Sequence, residues 1–513
     1  MIKNSKIKRS FHPVMFFIYL SILVIIISGI ADALNLQVTY DRLTTISGEV
    51  STTTVAVNSL LSLDGLKFLL TSAYSNLNEF IPLGMFLIAT IAFGIALNSG
   101  FIKVLCRNLT SKVPKFVLVF LYALFCVLFS IDSNLGYVIL LPIGAVLFMA
   151  MNRNPIGGLA LGFAMTSAGH GIGLFATSLD YNLQSYTEAS ARLLDSEYTV
   201  SYGSNLIFMI IISIIISAVC TLICEKLLVR MFGRNQIEDD NETMLDEKTE
   251  KKGIIGALIA TIVIIIPIII MLIPSSGDGF VGLLLDKSQS NYMQMIYSSD
   301  SLFIANIVPI ISLIVGVQGF VYGVIAGTIR KIRDMVNFST DYLKKVGGVF
   351  VIIFFASQLV AIVRETNLGT IITASLSNVI AASNFSFIPL VLIIFVFTMI
   401  SNVFYTGSVA KWSIMAPNIM NVVIKANITP EFDQLIFRAG DSITNMITPL
   451  FVYFAIFVGF IEVYTKNKND ISIKECYRAV IPYFLTVMLV WIAMIICWYV
   501  IGLPIGVGIY PTV

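Results

Sequence analysis

Two charged residues, Arg438 and Asp441, lie three positions apart inside a long apolar stretch of this chain. On an α-helix this spacing places both side chains on one face. A guanidinium forms bidentate hydrogen bonds with a carboxylate, and a carboxylate at membrane depth can bind a cation or a proton. The pair therefore indicates either a structural salt bridge or a site for an anionic solute and a coupling ion.

Polar residues also interrupt a preceding apolar stretch at positions 401–412. Asn402 offers an amide donor and acceptor, Ser408 offers a hydroxyl, and the ring of Trp412 either stacks on an aromatic solute or packs among its neighbours. Lys411 either faces a cavity or extends to the membrane surface. Irregular backbone at membrane depth is tolerated only where it is buried in protein or lines a watery cavity, so this run predicts a solute-handling turn.

The composition places these residues in a membrane. The chain has 513 residues, of which 57% are hydrophobic and only 12% are charged, and its mean hydropathy is +0.91. Soluble proteins carry about 25% charged residues. No basic arm indicates a nucleic-acid partner, and no His-Glu-x-x-His or Gly-x-Ser-x-Gly motif indicates an enzyme. The chain is therefore predicted to be an all-α polytopic membrane protein whose surroundings are the lipid bilayer.

Apolar stretches of about 20 residues predict membrane crossings. Nine stretches qualify, at positions 15–34, 80–103, 155–177, 203–228, 253–275, 302–326, an interrupted 347–385, 431–461 and 478–502. Two further stretches, 116–152 and 386–425, each consist of two arms of roughly 15 residues around a polar tip, at 132–136 and 405–408, and such arms are too short to cross. These two stretches predict re-entrant helical hairpins.

Loop charge predicts the orientation, because Lys and Arg in short loops accumulate on the cytoplasmic side. The basic residues Lys3, Lys6, Lys8 and Arg9 place the N-terminus in the cytoplasm. The loops 35–79, 181–202 and 276–301 are poor in basic residues and are predicted to be external, as is the C-terminus. The first of these loops contains a broken apolar run, 55–70, that predicts an amphipathic helix on the outer surface. With this orientation the two hairpins enter from opposite faces.

A hairpin followed by an interrupted helix occurs twice, which is typical of an inverted-topology repeat around a midplane site. Chance punctuation by Gly and Pro is the competing interpretation. The residues predicted to interrupt the second unit are Gly407, Pro417, Gly440 and Pro449. The predicted divisions are a basic segment 1–14, two crossings in 15–103, core repeat 1 in 104–202, scaffold crossings in 203–346 with a cytoplasmic linker 229–252, core repeat 2 in 347–463, and a last crossing with an external end in 464–513.

Asp180 and Asp441 are the candidates for ion coupling by sodium or by a proton, with a sodium ion placed near Asp441. Asp180 has a competing interpretation as a hydrated carboxylate near the outer end of its crossing. Arg364 and Glu365 form a predicted ion pair at the interruption of the seventh crossing. No other cofactor is predicted.

Four motifs occur in order along the chain: Leu63-Asp64-Gly65-Leu66, Pro82-Leu83-Gly84, Lys411-Trp412-Ser413-Ile414-Met415-Ala416-Pro417 and Val500-Ile501-Gly502-Leu503-Pro504-Ile505-Gly506-Val507-Gly508-Ile509-Tyr510-Pro511. With these motifs the chain resembles the AbgT family of p-aminobenzoyl-glutamate transporters over nearly its whole length. The resemblance implies a homodimer whose subunits have nine crossings and two hairpins, in which a hairpin core moves against a dimerisation scaffold.

The resemblance also implies a function. That function is ion-driven import of p-aminobenzoyl-glutamate, an aromatic dicarboxylate, or export of sulfonamide-type antimetabolites, across the inner membrane. The implied substrate-binding residues are Asn402, Ser408, Trp412 and Arg438 with Ser133 and Asn134 of the first hairpin, and the implied ion-coupling residues are Asp180, Asp441 and Asn367.

This chain departs from the pattern at Val409, where relatives have Ser, and at Asp132-Ser133-Asn134, where a relative has Ser-Ser-Asp. A carrier of dicarboxylates or short-chain organic acids is the alternative. A channel would require a continuous polar pore, whereas the polar breaks of this chain cluster at the hairpins and their partner helices.

Overall fold

The computed structural model describes residues 12–43, 49–131, 133–234, 246–275, 277, 279–298, 300–465 and 473–513. Its helices are Pro13–Ala33, Leu63–Thr71, Ala73–Asn78, Pro82–Asn98, Phe101–Lys112, Lys115–Leu128, Phe129–Ile131, Ser133–Leu135, Gly136–Leu140, Leu141–Ala150, Pro155–Ala168, Ser178–Ala191, Leu206–Ile223, Cys224–Leu228, Val229–Phe232, Glu247–Met271, Tyr292–Tyr297, Leu302–Ala305, Ile307–Ala326, Ile332–Glu365, Leu368–Ala381, Phe387–Phe404, Ser408–Lys425, Pro430–Thr444, Val452–Val463 and Ile473–Ile501. Two antiparallel strands, Gln37–Leu43 and Val50–Ala56, form a single β-hairpin.

Seven helices in the described residues are long and apolar enough to cross a membrane. They are Pro13–Ala33, Leu206–Phe232, Glu247–Met271, Ile307–Ala326, Ile332–Glu365, Phe387–Phe404 and Ile473–Ile501. Phe387–Phe404 is one arm of the second predicted hairpin, so six of these helices count as crossings. The bent pair Pro82–Asn98 and Phe101–Lys112, and two helices that are each broken midway, bring the crossings in the described residues to nine. The predicted class, a polytopic helical membrane protein, is confirmed.

Both predicted hairpins are helical pairs. We name Lys115–Leu128 with Gly136–Ala150 hairpin 1, and Phe387–Phe404 with Ser408–Lys425 hairpin 2. The arms of hairpin 2 meet at residues 405–407, so Gly407 lies at the predicted break. Pro417 is the exception, because it lies inside the second arm and does not interrupt it. Neighbouring helices can compensate for the one backbone hydrogen bond that a membrane proline removes.

Each hairpin precedes a helix that is interrupted midway. We name Pro155–Ala168 with Ser178–Ala191 broken helix 1, and Pro430–Thr444 with Val452–Val463 broken helix 2. Pro449 lies in the second interruption, as predicted. Every residue of Pro155–Ala168 and of Pro430–Thr444 is buried, whereas the apolar helix Glu247–Met271 has only three buried residues, as expected for contact with lipid.

Gly440 is not a break, contrary to the prediction, and lies within the first half of broken helix 2. Its function is close packing: a Cβ at this position would lie 2.6 Å from the carbonyl oxygen of Phe395 in hairpin 2. Glycine therefore allows the two backbones to approach each other.

We expect Gly440→Ala to lower the free energy of unfolding by about 1–3 kcal/mol, because the added methyl group forces apart a packed helix pair. The measurement is the apparent melting temperature of the purified protein in detergent. Gly84→Ala is the matched control, since a Cβ at Gly84 meets no atom within 4 Å. Equal melting temperatures for both variants would contradict the packing argument.

The second predicted crossing, 80–103, is shorter than predicted. Its helix ends at Asn98, and Phe101–Lys112 continues at an angle of 65°. Gly100 between them has φ 94°, a left-handed conformation that glycine adopts without a steric penalty. The apolar composition of the stretch predicted one straight span, but the glycine turns the chain.

The predicted external segment 35–79 holds the two β-strands of the described residues and so departs from an all-α fold. Residues 50–56 form a β-strand, and only Leu63–Thr71 and Ala73–Asn78 are helical, so the amphipathic helix predicted for 55–70 is wrong in its first part. The high content of β-branched residues in 50–56, Val50, Thr52, Thr53, Thr54 and Val55, favours a strand. The β-hairpin contacts hairpin 2, where Asn418 Nδ2 donates to the carbonyl oxygen of Asp41 at 2.7 Å.

The helices are interrupted within the predicted seventh crossing, 347–385. Two residues, Thr366 and Asn367, separate Ile332–Glu365 from Leu368–Ala381. Asn367 between them has φ 59°, a left-handed conformation that asparagine tolerates better than most residues. The interruption therefore brings Asn367 and the end of the long helix to the tip of hairpin 2.

Candidate functional site

Arg438 pairs with Asp180 rather than with Asp441. Its Nη1 donates to Asp180 Oδ1, and its Nε and Nη2 donate to the carbonyl oxygen of His170 at 3.3 and 3.0 Å. The two side chains are only 2% and 6% exposed. The salt bridge considered between Arg438 and Asp441 is therefore wrong, because each residue meets an opposite charge on a different element. This guanidinium joins broken helix 2 to the interruption of broken helix 1.

Asp180 lies in the first turn of the second half of broken helix 1, Ser178–Ala191, and is buried. It is therefore not the hydrated carboxylate that was considered near the outer end of this crossing. Its Oδ2 accepts hydrogen bonds from the backbone N and the Oγ1 of Thr177, both at 2.7 Å. Its backbone N in turn donates to Thr177 Oγ1 at 3.4 Å, which completes a capping box. Both carboxylate oxygens of Asp180 thus have protein partners.

Asp441 pairs with Lys411 of hairpin 2. The ammonium group donates to Asp441 Oδ1, and Ser408 Oγ donates to Asp441 Oδ2 at 2.6 Å. Lys411 is 0% exposed and Asp441 is 3% exposed, so Lys411 neither faces open water nor reaches the membrane surface. The substrate candidate Ser408 and the ion candidate Asp441 are in direct contact.

Asn402 lies on the first arm of hairpin 2 and faces the same ammonium group. Its Oδ1 accepts from Lys411, and its Nδ2 lies within hydrogen-bond distance of the Asp441 carbonyl oxygen, Thr444 Oγ1 and Asn445 Oδ1, at 2.7, 2.9 and 2.8 Å. Oxygen atoms from hairpin 2 and broken helix 2 therefore converge around one buried positive charge.

Trp412 packs inside the protein in this conformation. Its side chain is fully buried, and its ring lies 4.6 Å from that of Phe437, measured between centroids. Its Nε1 donates to Thr187 Oγ1 at 2.8 Å, and that hydroxyl lies 2.8 Å from Gln434 Oε1. Trp412 can stack on an aromatic solute only after these helices separate.

The tip of hairpin 1 contacts broken helix 2. The hydroxyl of Tyr453 donates to Asn134 Oδ1 at 2.6 Å, and the ring of Tyr453 stacks on that of Tyr137 with centroids 4.2 Å apart. Asp132 lies outside the described residues, and of Ser133 only the backbone is described. Asn134 is thereby placed where broken helix 2 resumes after its interruption.

A cavity of about 280 Å³ adjoins the tip of hairpin 2. Asn367 and Gly407 line it, together with residues that were not predicted as site residues: Val360, Val363, Arg364, Gly369, Thr370, Phe404, Tyr405, Thr406 and Leu450. Arg364 does not pair with Glu365 as predicted; its Nη2 donates to Glu79 Oε2 at 2.9 Å. A second, apolar cavity of about 570 Å³ between Phe101–Lys112 and hairpin 1 is lined by none of the predicted site residues.

Two contributors could have been found from the sequence. Thr177 stands three residues before Asp180, which is the spacing of a capping box and predicts a helix start there. A lysine inside an apolar stretch requires a counter-charge, so Lys411 and Asp441 were natural partners. Thr187 gave no comparable signal, because only the packing of distant segments brings it to the site. Arg364 was predicted at an interruption, but its partner Glu79 was not.

Two hairpins, two broken helices and charges buried at the interruptions define a helical membrane protein of the transporter class. The chain belongs to the AbgT family: the model of the AbgT putative transporter family matches residues 8–513. It is therefore a membrane transporter and not an enzyme, as predicted.

Relatives extend over the whole length of the chain. It is 29% identical over 500 residues to the p-aminobenzoyl-glutamate transport protein of Escherichia coli (strain K12), covering 98% of this chain and 94% of that protein. The structure of the Alcanivorax borkumensis YdaH transporter matches with 27% identity and a TM-score of 0.50, covering 97% of this chain and 100% of the other. Neisseria gonorrhoeae MtrF, whose structure is described as illuminating a class of antimetabolite efflux pumps, matches with 29% identity, a TM-score of 0.50 and 96% coverage of each chain.

Proposed function

We propose that this chain is an ion-coupled secondary transporter of p-aminobenzoyl-glutamate or of related aromatic antimetabolites of the sulfonamide type. The relative from Escherichia coli and the efflux class of MtrF support this substrate range. The protein acts as a homodimer in the inner membrane. The basic loops support a cytoplasmic N-terminus and an external C-terminus.

The proposal rests on one observation, the pair of buried salt bridges that tie hairpin 2 and both broken helices together. Burying charges in a membrane protein is costly, and replacing a buried ion pair by apolar residues is often neutral or stabilising. Stability alone therefore gives little reason for two such pairs. Their position at helix interruptions supports a role in binding a charged solute or a coupling ion.

Coupling is proposed at Asp441. Oxygen atoms of Asn402, Ser408 and Asp441 surround or adjoin the Lys411 ammonium group, and such oxygens are the donors that hard cations prefer. A sodium ion would bind there by displacing the ammonium group, and a proton would neutralise Asp441 and weaken its attraction to Lys411. Either event breaks the salt bridge between Lys411 of hairpin 2 and Asp441 of broken helix 2.

Alternating access follows from this connection. The hairpins and broken helices form the moving core, and the remaining crossings form the scaffold. With both salt bridges formed, the core carries its buried charges as neutral pairs, which lowers the cost of moving them across the membrane. Separation of the helices around Trp412 opens a ring-sized space for the substrate.

Ligand binding tests the substrate class. Purified full-length protein in detergent should bind labelled p-aminobenzoyl-glutamate, and unlabelled p-aminobenzoyl-glutamate or a sulfonamide should compete, whereas glutarate should not. Binding of labelled glutarate, without binding of the aromatic compound, would favour the carrier of dicarboxylates or short-chain organic acids. No binding of any of the three would overturn the proposed substrate range.

A further inference from the structure

We infer that the cavity at the tip of hairpin 2 is a carboxylate-binding vestibule, in which Arg364 binds an acidic group of the solute before that solute reaches the buried network. This inference rests on the proposed function, since it names the chemistry by which an anionic substrate is first held. The vestibule is the 280 Å³ cavity whose lining includes Arg364, Asn367 and residues 404–407.

The buried arginine is already engaged. Arg438 donates to Asp180 and, through two nitrogens, to the His170 carbonyl oxygen, and it is 2% exposed. A carboxylate could reach it only by displacing Asp180. Lys411, the other deeply buried cation among the described residues, is held by Asp441. In this conformation the solute therefore needs a different first cationic contact.

Arg364 meets that requirement. It lines the vestibule and its side chain is 65% exposed. Its ion pair with Glu79, which is 56% exposed, is of the solvent-accessible kind that contributes little to stability. A substrate carboxylate can replace the Glu79 carboxylate at small cost, and the planar guanidinium suits bidentate binding of that group.

The backbone that carries Arg364 is held in place. Asn58 donates through Nδ2 to the carbonyl oxygen and the Oε1 of Glu365, each at 3.2 Å, and its backbone N donates to the Thr366 carbonyl oxygen at 3.2 Å. Asn367 Nδ2 donates to the Ala56 carbonyl oxygen at 3.2 Å. These contacts orient the end of the helix Ile332–Glu365 and engage Glu365. The backbone of Arg364 is therefore preorganised for binding.

The other walls suit one end of an aromatic acid. Val360, Val363 and Leu450 supply apolar surface, while Thr406 and Asn367 supply hydrogen-bonding groups and Tyr405 supplies a ring. Small-molecule sites usually enclose about 300–1,000 Å³, so the vestibule accommodates part of a dicarboxylate and not a large ligand in full. A few polar groups among apolar walls are typical of a site that fixes the orientation of its bound ligand.

The test measures dissociation constants of purified full-length protein for p-aminobenzoyl-glutamate and for the neutral analogue p-aminobenzamide. We expect Arg364→Gln to weaken binding of the dicarboxylate roughly tenfold or more, as for loss of a hydrogen bond to a charged group, and to leave the affinity for the neutral analogue unchanged. Arg364→Lys, which retains the charge but not the planar fork, should give an intermediate loss.

Glu79→Gln is the matched control, because it breaks the same ion pair while leaving the arginine in place. It should keep or tighten binding of the dicarboxylate. An unchanged affinity in Arg364→Gln, or an equal loss in Glu79→Gln, would overturn the inference while leaving the proposed function intact. Failure of the unsubstituted protein to bind p-aminobenzoyl-glutamate would instead overturn the proposed substrate and, with it, this inference.

Discussion

Lys411→Met is expected to abolish transport and to lower the free energy of unfolding by about 3–5 kcal/mol, because it leaves the Asp441 carboxylate buried without its counter-charge. Asp441 is 3% exposed, so water cannot replace the ammonium group without a rearrangement of hairpin 2. The apparent melting temperature in detergent and substrate uptake in proteoliposomes measure the two effects.

Two further variants show whether the loss of transport and of stability comes from the missing counter-charge of Asp441. Lys425→Met removes an exposed lysine from the last turn of the same arm and should change neither quantity. Lys411→Met combined with Asp441→Leu removes both charges and should recover much of the lost stability without recovering transport. Wild-type uptake by the Lys411→Met variant would show that the pair plays no part in transport.

Arg438→Gln is the second substitution with a large expected effect. We expect it to lower the free energy of unfolding by about 3–5 kcal/mol, because Asp180 loses its buried counter-charge. Asp180→Asn should cost less than Asp180→Ala, since an amide oxygen can still accept from Thr177 at the start of the helix. Melting temperatures of the single and double variants form a double-mutant cycle, and neighbours in one network typically couple by about 0.5–3 kcal/mol.

This cycle also distinguishes the two roles considered for Arg438. If its partner is Asp180, Arg438→Gln destabilises the protein and Asp180→Asn lessens that loss. Loss of substrate binding at an unchanged melting temperature would contradict the salt bridge and assign the guanidinium to the substrate carboxylate. Arg438→Lys serves as the control that preserves charge without the planar fork.

The sequence was sufficient for the membrane architecture because bilayer thickness imposes a length on each segment. The two stretches predicted to be hairpins are helical pairs, although the arm Phe387–Phe404 is long and apolar enough to cross a membrane, and the tip of hairpin 2 falls within the predicted residues. Helix breakers were less informative. Pro449 lies in an interruption, whereas Pro417 and Gly440 lie inside continuous helices, since surrounding packing decides whether a proline or glycine ends a helix.

The partners of the charged residues depend on tertiary packing. The spacing of Arg438 and Asp441 shows that they share a helix face, but not which helices lie against that face. One of the two meets Asp180, from a segment more than 250 positions earlier, and the other meets Lys411. The strand at 50–56 has a local signal, because five of its seven residues are β-branched, but an apolar run that predicts a helix begins at Val55 within the same strand.

Gradient-driven uptake is the most direct test of the central claim that this chain is an ion-coupled transporter of aromatic antimetabolites. Purified protein in proteoliposomes is given labelled p-aminobenzoyl-glutamate under an imposed sodium gradient, an imposed proton gradient, or neither. We predict accumulation above the external concentration with one of the two gradients, and none in the Lys411→Met variant. Equilibration at the same rate with and without gradients, or no flux under any condition, would contradict the account.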